Sequence, residues 1–233
     1  MAIEAKDAQL AKLRRVWGAL GQDDPLWAVL SQRDKRGGRW QAEEFLATGQ
    51  LEIDSQLAVL AASGYPLRRD LAIDFGSGAG RLSRALASHF GKVIGIDVSP
   101  SMITAARQLN ADVANIEFRE NAGAELAGIE DASVDLLFSH ITLQHIPAPL
   151  AIAYVEEFFR VLAPGGVAVF QFVDGSDASW RGRLMALKRN ALVKRPDREA
   201  GDAGYTILEV LVVITIIGLL IGLVAPAALR QLG

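Results

Sequence analysis

Glycines flanked by two acids are the residues of this chain whose types and spacing point most directly to chemistry. Gly76, Gly78 and Gly80 form a turn after a short apolar run. Asp74 ends that run, and Asp97 ends the next one. A turn without Cβ atoms lets the backbone approach a ligand closely, and an acid on the neighbouring strand can accept hydrogen bonds from a ribose diol. This pattern predicts a nucleoside site on a strand–turn–helix–strand unit.

The spacing of the glycines narrows the kind of nucleoside. A dinucleotide fingerprint is G-x-G-x-x-G, whose helix N-terminus holds a pyrophosphate, but Arg81 stands where its third glycine would fall. The chain also has no G-x-x-x-x-G-K-[ST] phosphate loop. Asp74, just before the turn, favours a ligand that carries positive charge. A sulfonium nucleoside meets these conditions, and the alternative is a unit whose glycines serve packing alone.

Two motifs carry a family resemblance. Residues 74–80 (D-F-G-S-G-A-G) and 95–103 (G-I-D-V-S-P-S-M-I) resemble the first two motifs of class I S-adenosylmethionine-dependent methyltransferases. The resemblance implies a Rossmann-like fold, S-adenosylmethionine as cofactor, and methyl transfer to an acceptor that the sequence does not identify. It implies these cofactor-binding residues: Asp74, Gly76, Ser77, Gly78, Gly80, Asp97, Val98, Asn121 and Ser139. In it the glycines lie against the methionine part, Asp97 holds the ribose, and Asn121, where many members carry an acid, contacts the adenine.

The same resemblance implies that residues 139–145 lie beside the methyl group and the acceptor. Methyl transfer is a direct displacement, so alignment supplies most of the catalysis. A hydroxyl or amine acceptor reacts faster when a general base removes its proton, and His145 is the best-placed candidate for that base. A structural or substrate-orienting His145, with Gln144 sharing that role, is the alternative. His89, on the helix after the glycine turn, is interpreted as a surface or packing residue.

Short apolar runs separated by helical patterns predict a doubly wound, mostly parallel α/β sheet over residues 70–178. The predicted strands are 71–73, 92–96, 116–119, 134–139 and 167–173. A helix over 150–162 is predicted to end at the turn 164–166. A complete class I sheet continues with a helix and an antiparallel hairpin. Residues 179–193 could form the helix, but nothing after them has the pattern of the hairpin, so we expect an unpaired sheet edge.

Residues 1–69 are predicted to form a helical N-terminal extension. Apolar residues recur at helical spacing from Leu10 to Leu20, and Asp24 followed by Pro25 is a typical helix start. The extension resembles the segment that caps the cleft in a subgroup of these methyltransferases, which makes Trp40, Phe45 and Thr48 lid candidates. The alternative places Trp40 and Phe45 in the core of the extension.

Composition limits the partners of the chain. The 233 residues carry a net charge of −3, so bulk charge gives no support for a nucleic-acid partner. Cysteine is absent, which excludes disulfides and thiolate zinc sites. The three histidines show no spacing typical of metal ligands, and we predict no metal site.

The C-terminal part has a different composition. Residues 207–225 hold a single charge, Glu209, which predicts a membrane-spanning helix. The preceding linker, 179–203, includes a stretch rich in Lys and Arg, and the positive-inside rule then leaves the enzyme domain cytoplasmic. The sequence thus predicts a protein that spans a membrane once. The prepilin resemblance described next implies that this is the bacterial inner membrane. A buried core helix is the alternative.

Residues 204–233 also resemble the prepilin cleavage and methylation segment, most nearly that of the major pseudopilin of type II secretion. In that family a prepilin peptidase cuts after the residue matching Gly204, the new N-terminus, Tyr205, is methylated, and the acid matching Glu209 sets subunit register. Here 203 residues precede Gly204, and no pilin head follows. We interpret the chain as two truncated genes joined together. The alternative function is a pseudopilin-like membrane segment that carries an inactive methyltransferase passenger.

Overall fold

The described part of the chain is built around one parallel sheet. The computed structural model describes residues 2–171, and its five strands lie in the order β3-β2-β1-β4-β5. The strands are β1 (Leu71–Phe75), β2 (Lys92–Asp97), β3 (Ile116–Glu120), β4 (Val134–Ser139) and β5 (Leu162–Phe170). Every neighbouring pair is parallel. The predicted α/β class and parallel sheet are therefore confirmed for these residues.

Within residues 2–171, six α-helices precede the sheet or pack around it. They are α1 (Ala2–Asp23), α2 (Pro25–Val29), α3 (Ala42–Ala62), α4 (Arg81–Ala87), α5 (Pro100–Leu109) and α6 (Ala148–Val161). The N-termini of α2 and α5 have capping residues that can be recognised in the sequence. The Asp24 carboxylate accepts from the Trp27 amide at 3.2 Å, the Ser99 hydroxyl accepts from the Met102 amide at 3.2 Å, and a proline follows each cap.

The sheet is covered on both faces, which explains the continuous apolar runs of its strands. Ile73 and Phe75 of β1 pack with α6, whose Phe158 is fully buried. Ala72, one residue away, faces the cluster of α3 and α4 instead. Successive side chains thus serve opposite faces. Burying one such side chain contributes roughly 1.5–3 kcal/mol. Because the strands are parallel neighbours, the carboxyl ends of β1, β2 and β4 lie at one edge of the sheet.

Two predictions near the end of the described residues are wrong. The strand β5 begins at Leu162 and ends at Phe170, not over 167–173, and the expected turn 164–166 lies inside it. The β4–β5 register shifts between Val134 and Leu136, and Gly165 has φ +79°. A bulge therefore absorbs the turn, and the chain passes from α6 directly into the sheet.

The predictions for the C-terminal part lie outside the described residues. These are the helix over 179–193, the membrane-spanning segment, and the cleavage motif with Gly204, Tyr205 and Glu209. Between residues 2 and 171, no helix is both long and apolar enough to cross a bilayer.

Candidate active site

A cavity of about 440 Å³ lies at the carboxyl ends of β1 and β2. Its floor is the glycine turn after β1, and the segment after β4 forms one side. Its opposite wall comes from α1 and α2 of the N-terminal extension. The strand order reverses direction at β1, and crevices at such switch points are where α/β sheets bind ligands. The cavity is therefore placed where the sequence predicts the nucleoside site.

The glycine turn is tied to the end of β2. The amides of Gly76 and Ser77 both donate to the Ile96 carbonyl, at 2.8 and 3.0 Å, and the Gly78 amide donates to the Asp97 carboxylate at 2.9 Å. Gly76 has φ +78°, and a Cβ on it would lie 2.2 Å from Thr142 Oγ1. No side chain fits there, because the segment after β4 packs directly onto the turn.

Asp97 forms part of the cavity wall beside Val98. Its Oδ2 accepts from the Gly78 amide, and its Oδ1 accepts from the Ser99 amide at 2.9 Å. Burial raises the pKa of the Asp97 carboxyl, and its backbone hydrogen bonds oppose that shift. Solvent still reaches the half-buried side chain through the cavity. This carboxylate can therefore accept hydrogen bonds from a polar ligand.

Five of the buried side-chain atoms that lack a hydrogen-bond partner among residues 2–171 lie in or beside the turn and the segment after β4. They are Asp74 Oδ1, Ser77 Oγ, Arg81 Nε, Ser139 Oγ and His140 Nδ1. Leaving such an atom unpaired costs about 1–3 kcal/mol. Ser77, Arg81 and His140 line the cavity, whereas Asp74 and Ser139 are buried beside it. The turn therefore borders a group of acids, cations and hydroxyls with unused bonding capacity.

The charges of this group are strongly desolvated. Burial raises the pKa of Asp74 to about 6, although the Ser83 hydroxyl donates to its Oδ2 at 2.6 Å. Burial lowers the pKa of the Arg81 guanidinium, and the charges of Asp74 and Glu52 oppose that shift. Burial also lowers the pKa of His140. Sequence reasoning used Arg81 only as the residue that breaks the dinucleotide fingerprint, although a cation beside a ligand-binding turn was itself a signal.

These residues fit S-adenosylmethionine. Its amino-acid part carries a carboxylate and an ammonium group, whose charges are opposite to those of Arg81 and Asp74 respectively. The diol of its ribose matches the acceptor oxygens of Asp97. Asn121 also lines the cavity, where its Nδ2 donates to the Gly123 carbonyl at 2.9 Å. That bond occupies one amide donor, so the predicted adenine contact depends on the remaining amide atoms of Asn121.

The segment after β4 places His145 and Gln144 in the cavity wall. Their Nε2 atoms lie 3.2 Å apart, and the His145 ring meets the ring of Trp17 edge-on, with 5.3 Å between centroids. Ile141, in the same segment, has φ +57°. A β-branched residue in this conformation is strained by about 1–3 kcal/mol, as is typical of functional sites.

The remaining histidine and the lid candidates lie away from this cavity. His89 Nε2 lies 2.8 Å from Asp54 Oδ1, at the outer side of α3. Trp40 and Phe45 are buried with Ala79 in a separate cluster, and the Thr48 hydroxyl donates within its own helix. Trp40 and Phe45 therefore lie in the core of the extension, as the alternative interpretation of the sequence expected. Two other tryptophans, Trp17 and Trp27, line the cavity. Their sequence pattern does not distinguish them from core residues, because amphipathic helices place aromatic residues in cores as readily as in cavities.

Comparisons with known proteins give the chemical class. Residues 72–166 match a family model described as a methyltransferase domain. A ubiquinone biosynthesis O-methyltransferase of Psychrobacter cryohalolentis is 27% identical over 184 residues, which cover 77% of this chain and 68% of that protein. One of Xanthomonas campestris pv. campestris is 30% identical over 110 residues, covering 46% of this chain and 45% of that protein. The pseudopilin likeness of the C-terminal segment receives no support from these matches.

Two solved structures show the same fold. Phosphoethanolamine N-methyltransferase 1 of Haemonchus contortus, solved with phosphoethanolamine and S-adenosylhomocysteine, has a TM-score of 0.56 and 17% identity over 85% of this chain and 37% of that chain. The N-methyltransferase NodS of Bradyrhizobium japonicum, solved with S-adenosylhomocysteine, has a TM-score of 0.51 and 19% identity, covering 68% and 71% of the two chains. Strand order, glycine turn and family match agree, and the chain is an enzyme with a class I S-adenosylmethionine-dependent methyltransferase domain.

Proposed function

We propose that this enzyme transfers the methyl group of S-adenosylmethionine to a hydroxyl oxygen of its acceptor. The observation that carries the proposal is the shared cavity. The glycine turn and Asp97 bound it on one side, and His145 with Gln144 bounds it on the other. The two curated relatives described above are named O-methyltransferases, which favours oxygen over nitrogen as the acceptor atom.

The residues of the turn hold the cofactor in this proposal. The backbone of Gly76 and Gly78 approaches the amino-acid part, whose carboxylate pairs with Arg81. Asp97 accepts hydrogen bonds from the ribose hydroxyls, and Asn121 bonds the adenine edge. Fixed positions of these groups align the methyl carbon with the acceptor, and such alignment supplies most of the rate in a direct displacement.

His145 is the proposed base. When bound, the cofactor supplies an electrophilic methyl group and keeps the electron pair of the broken carbon–sulfur bond as a neutral thioether. The acceptor oxygen forms the new bond to carbon with its own lone pair and releases its proton to an imidazole nitrogen of His145. Gln144 and Trp17 hold that ring in place, and the proton then passes to water through the open side of the cavity.

Calorimetric titration of the full-length chain with S-adenosylmethionine tests the cofactor site. We expect saturable binding that Asp97→Ala weakens by about 1.5–3 kcal/mol, roughly 10- to 100-fold, because a charged hydrogen-bond acceptor is lost. Asp112→Ala is the matched control, since that carboxylate is exposed and pairs with Arg84 at the surface. A folded protein that does not bind, or equal losses in the two variants, would refute the proposal.

Membrane attachment through residues 204–233 is a separate proposal that rests on sequence alone. It predicts that the full-length chain sediments with bacterial membranes and that a chain ending at residue 203 does not. Equal distribution of both chains would contradict it.

A further inference from the structure

The cavity has a second half whose chemistry differs from that of the glycine turn. The side chains that α1, α2 and the residue directly after α2 contribute are apolar or aromatic and mostly half-buried. They include Leu10, Leu13, Trp17, Leu20, Trp27 and Leu30. We call this set the helical wall. Large apolar side chains that remain partly exposed inside a cavity gain free energy when a ligand covers them, roughly 25 cal/mol for each Å² removed from water.

Formal charge is confined to the other half. Arg81 and Asp97 line the cavity beside the glycine turn, where the proposed function uses both for the cofactor. We call the glycine turn together with Arg81 and Asp97 the strand side. The helical wall includes no Lys, Arg, Asp or Glu. Arg36, whose guanidinium carbon lies 5.0 Å from the Trp27 ring centroid, is exposed and does not line the cavity. An acceptor charge buried against this wall would lose its hydration without gaining a counter-ion.

Aromatic rings connect the helical wall to the proposed base. The Trp17 ring contacts His145 edge-on at 5.3 Å, so the apolar surface continues up to the imidazole. The Trp27 indole nitrogen donates to the Gln32 carbonyl at 2.8 Å, which satisfies its polar atom without a ligand. Ring-bearing ligands gain about 0.5–1.5 kcal/mol from aromatic neighbours beyond the area that they bury.

From these observations we propose that the acceptor is an uncharged, ring-bearing hydroxyl compound whose apolar body lies against the helical wall. This inference rests on the proposed function, because it assigns the remaining half of the same cavity. The wall selects against phosphorylated, carboxylated and ammonium-bearing acceptors. The hydroxyl to be methylated is then the one polar group of the acceptor that reaches His145 and Gln144.

A matched pair of ligands tests the inference on the full-length chain saturated with S-adenosylhomocysteine. The probes are methyl 6-hydroxy-2-naphthoate and free 6-hydroxy-2-naphthoate, which share the ring and the hydroxyl and differ in one negative charge. We expect the neutral ester to bind at least tenfold more tightly by calorimetry. In Leu20→Lys, a cation on the helical wall should raise affinity for the acid and remove most of this preference.

Leu51→Lys is the control, because Leu51 is 74% exposed on α3 and does not line the cavity. It should keep the preference of the unmodified chain. If Leu20→Lys does not fold by circular dichroism, Leu13→Lys replaces it. Equal or tighter binding of the acid to the unmodified chain, or binding of neither probe, overturns the inference. Repeating the titrations without nucleoside separates the proposals: failure to bind S-adenosylhomocysteine refutes the proposed function, while the ester–acid preference still tests the helical wall.

Discussion

The two halves of the cavity are built in opposite ways. The strand side comes from one contiguous stretch, in which Gly76 and Asp97 are joined through hydrogen bonds between neighbouring strands. The helical wall meets its partner over a long sequence separation, since Trp17 contacts His145. The strand side is polar and desolvated, and the helical wall is apolar. Recognition of the ribose and the amino-acid part of the cofactor is therefore a local property of the βαβ unit, whereas acceptor recognition depends on how the extension docks.

The two halves of the cavity also differ in their effect on the stability of the folded state. Asp74 and Arg81 are buried beside the turn without a hydrogen bond for one polar atom each. Such features lower stability and persist where function selects them. The helical wall needs only amphipathic helices, which gain free energy by covering the sheet. Substitutions on the strand side should therefore separate stability from binding, and those on the helical wall should separate cofactor from acceptor.

The largest effect is expected from His145→Ala. If His145 takes the acceptor proton, turnover with saturating cofactor and acceptor should fall about 10²- to 10⁴-fold, the usual contribution of a general base. Affinity for S-adenosylmethionine should stay within about twofold. His89→Ala is the matched control, because that imidazole pairs with Asp54 away from the cavity. Unchanged turnover in His145→Ala would leave His145 with a structural role only.

Gly76→Ala tests how tightly the strand side is built. A Cβ at a φ of +78° costs about 1–2 kcal/mol, and its approach to Thr142 adds an overpacking cost of about 1–3 kcal/mol. We expect the free energy of unfolding in urea to fall by about 2–5 kcal/mol, with at least tenfold weaker cofactor binding. Gly64→Ala has a similar φ of +73° with no atom within 4 Å of its Cβ. Gly64→Ala should lower the free energy of unfolding only by the backbone part, about 1–2 kcal/mol, and leave cofactor binding unchanged. Equal losses of stability in the two variants would mean that Thr142 moves aside without cost.

Sequence reasoning succeeded where contacts are local. The turn at Gly76, the cap at Asp24 and the strand β4 depend on neighbours within a few residues, and their patterns predicted them correctly. The bulge at Gly165 was missed because it depends on pairing with β4, far away in sequence. The roles of Trp27 and Trp40 were not separable from sequence either. Both lie in the N-terminal extension, and only the docking of the extension decides which one faces the cavity.

Asp74→Asn tests how much the burial of this carboxylate lowers the stability of the folded protein. The folded-state pKa of about 6 exceeds the ordinary value of 3.8, so between these pH values the folded protein holds a proton that the unfolded chain releases. The free energy of unfolding of the ligand-free protein should therefore fall as pH rises from about 4 to about 6. Asp74→Asn should remove that fall and raise stability at pH 7 by about 1–3 kcal/mol. Chemical denaturation across this pH range measures both.

Asp135→Asn provides the opposite case for the same measurement. Asp135 is equally a buried acid, but it lies at the other end of the sheet, and its Oδ2 accepts from the amides of Asp70 and Leu71 at 2.8 and 3.0 Å. Its loss should lower stability by about 1 kcal/mol, because charge-assisted hydrogen bonds are weakened. If both variants change stability in the same direction, burial of Asp74 is not the cost that we infer.

Trp17→Leu should give the smallest effect and the finest test of the two halves. The edge-on contact with His145 is worth about 0.5–1.5 kcal/mol, and leucine keeps an apolar surface but no ring. Turnover at saturating acceptor should therefore fall about two- to tenfold, and Trp17→Phe, which restores a ring, should recover most of it. Cofactor affinity should not change in either variant, because Trp17 belongs to the helical wall and the strand side forms without it. A parallel loss of cofactor affinity would show that α1 organises both halves, and the separation between a local cofactor site and a docked acceptor site would fail.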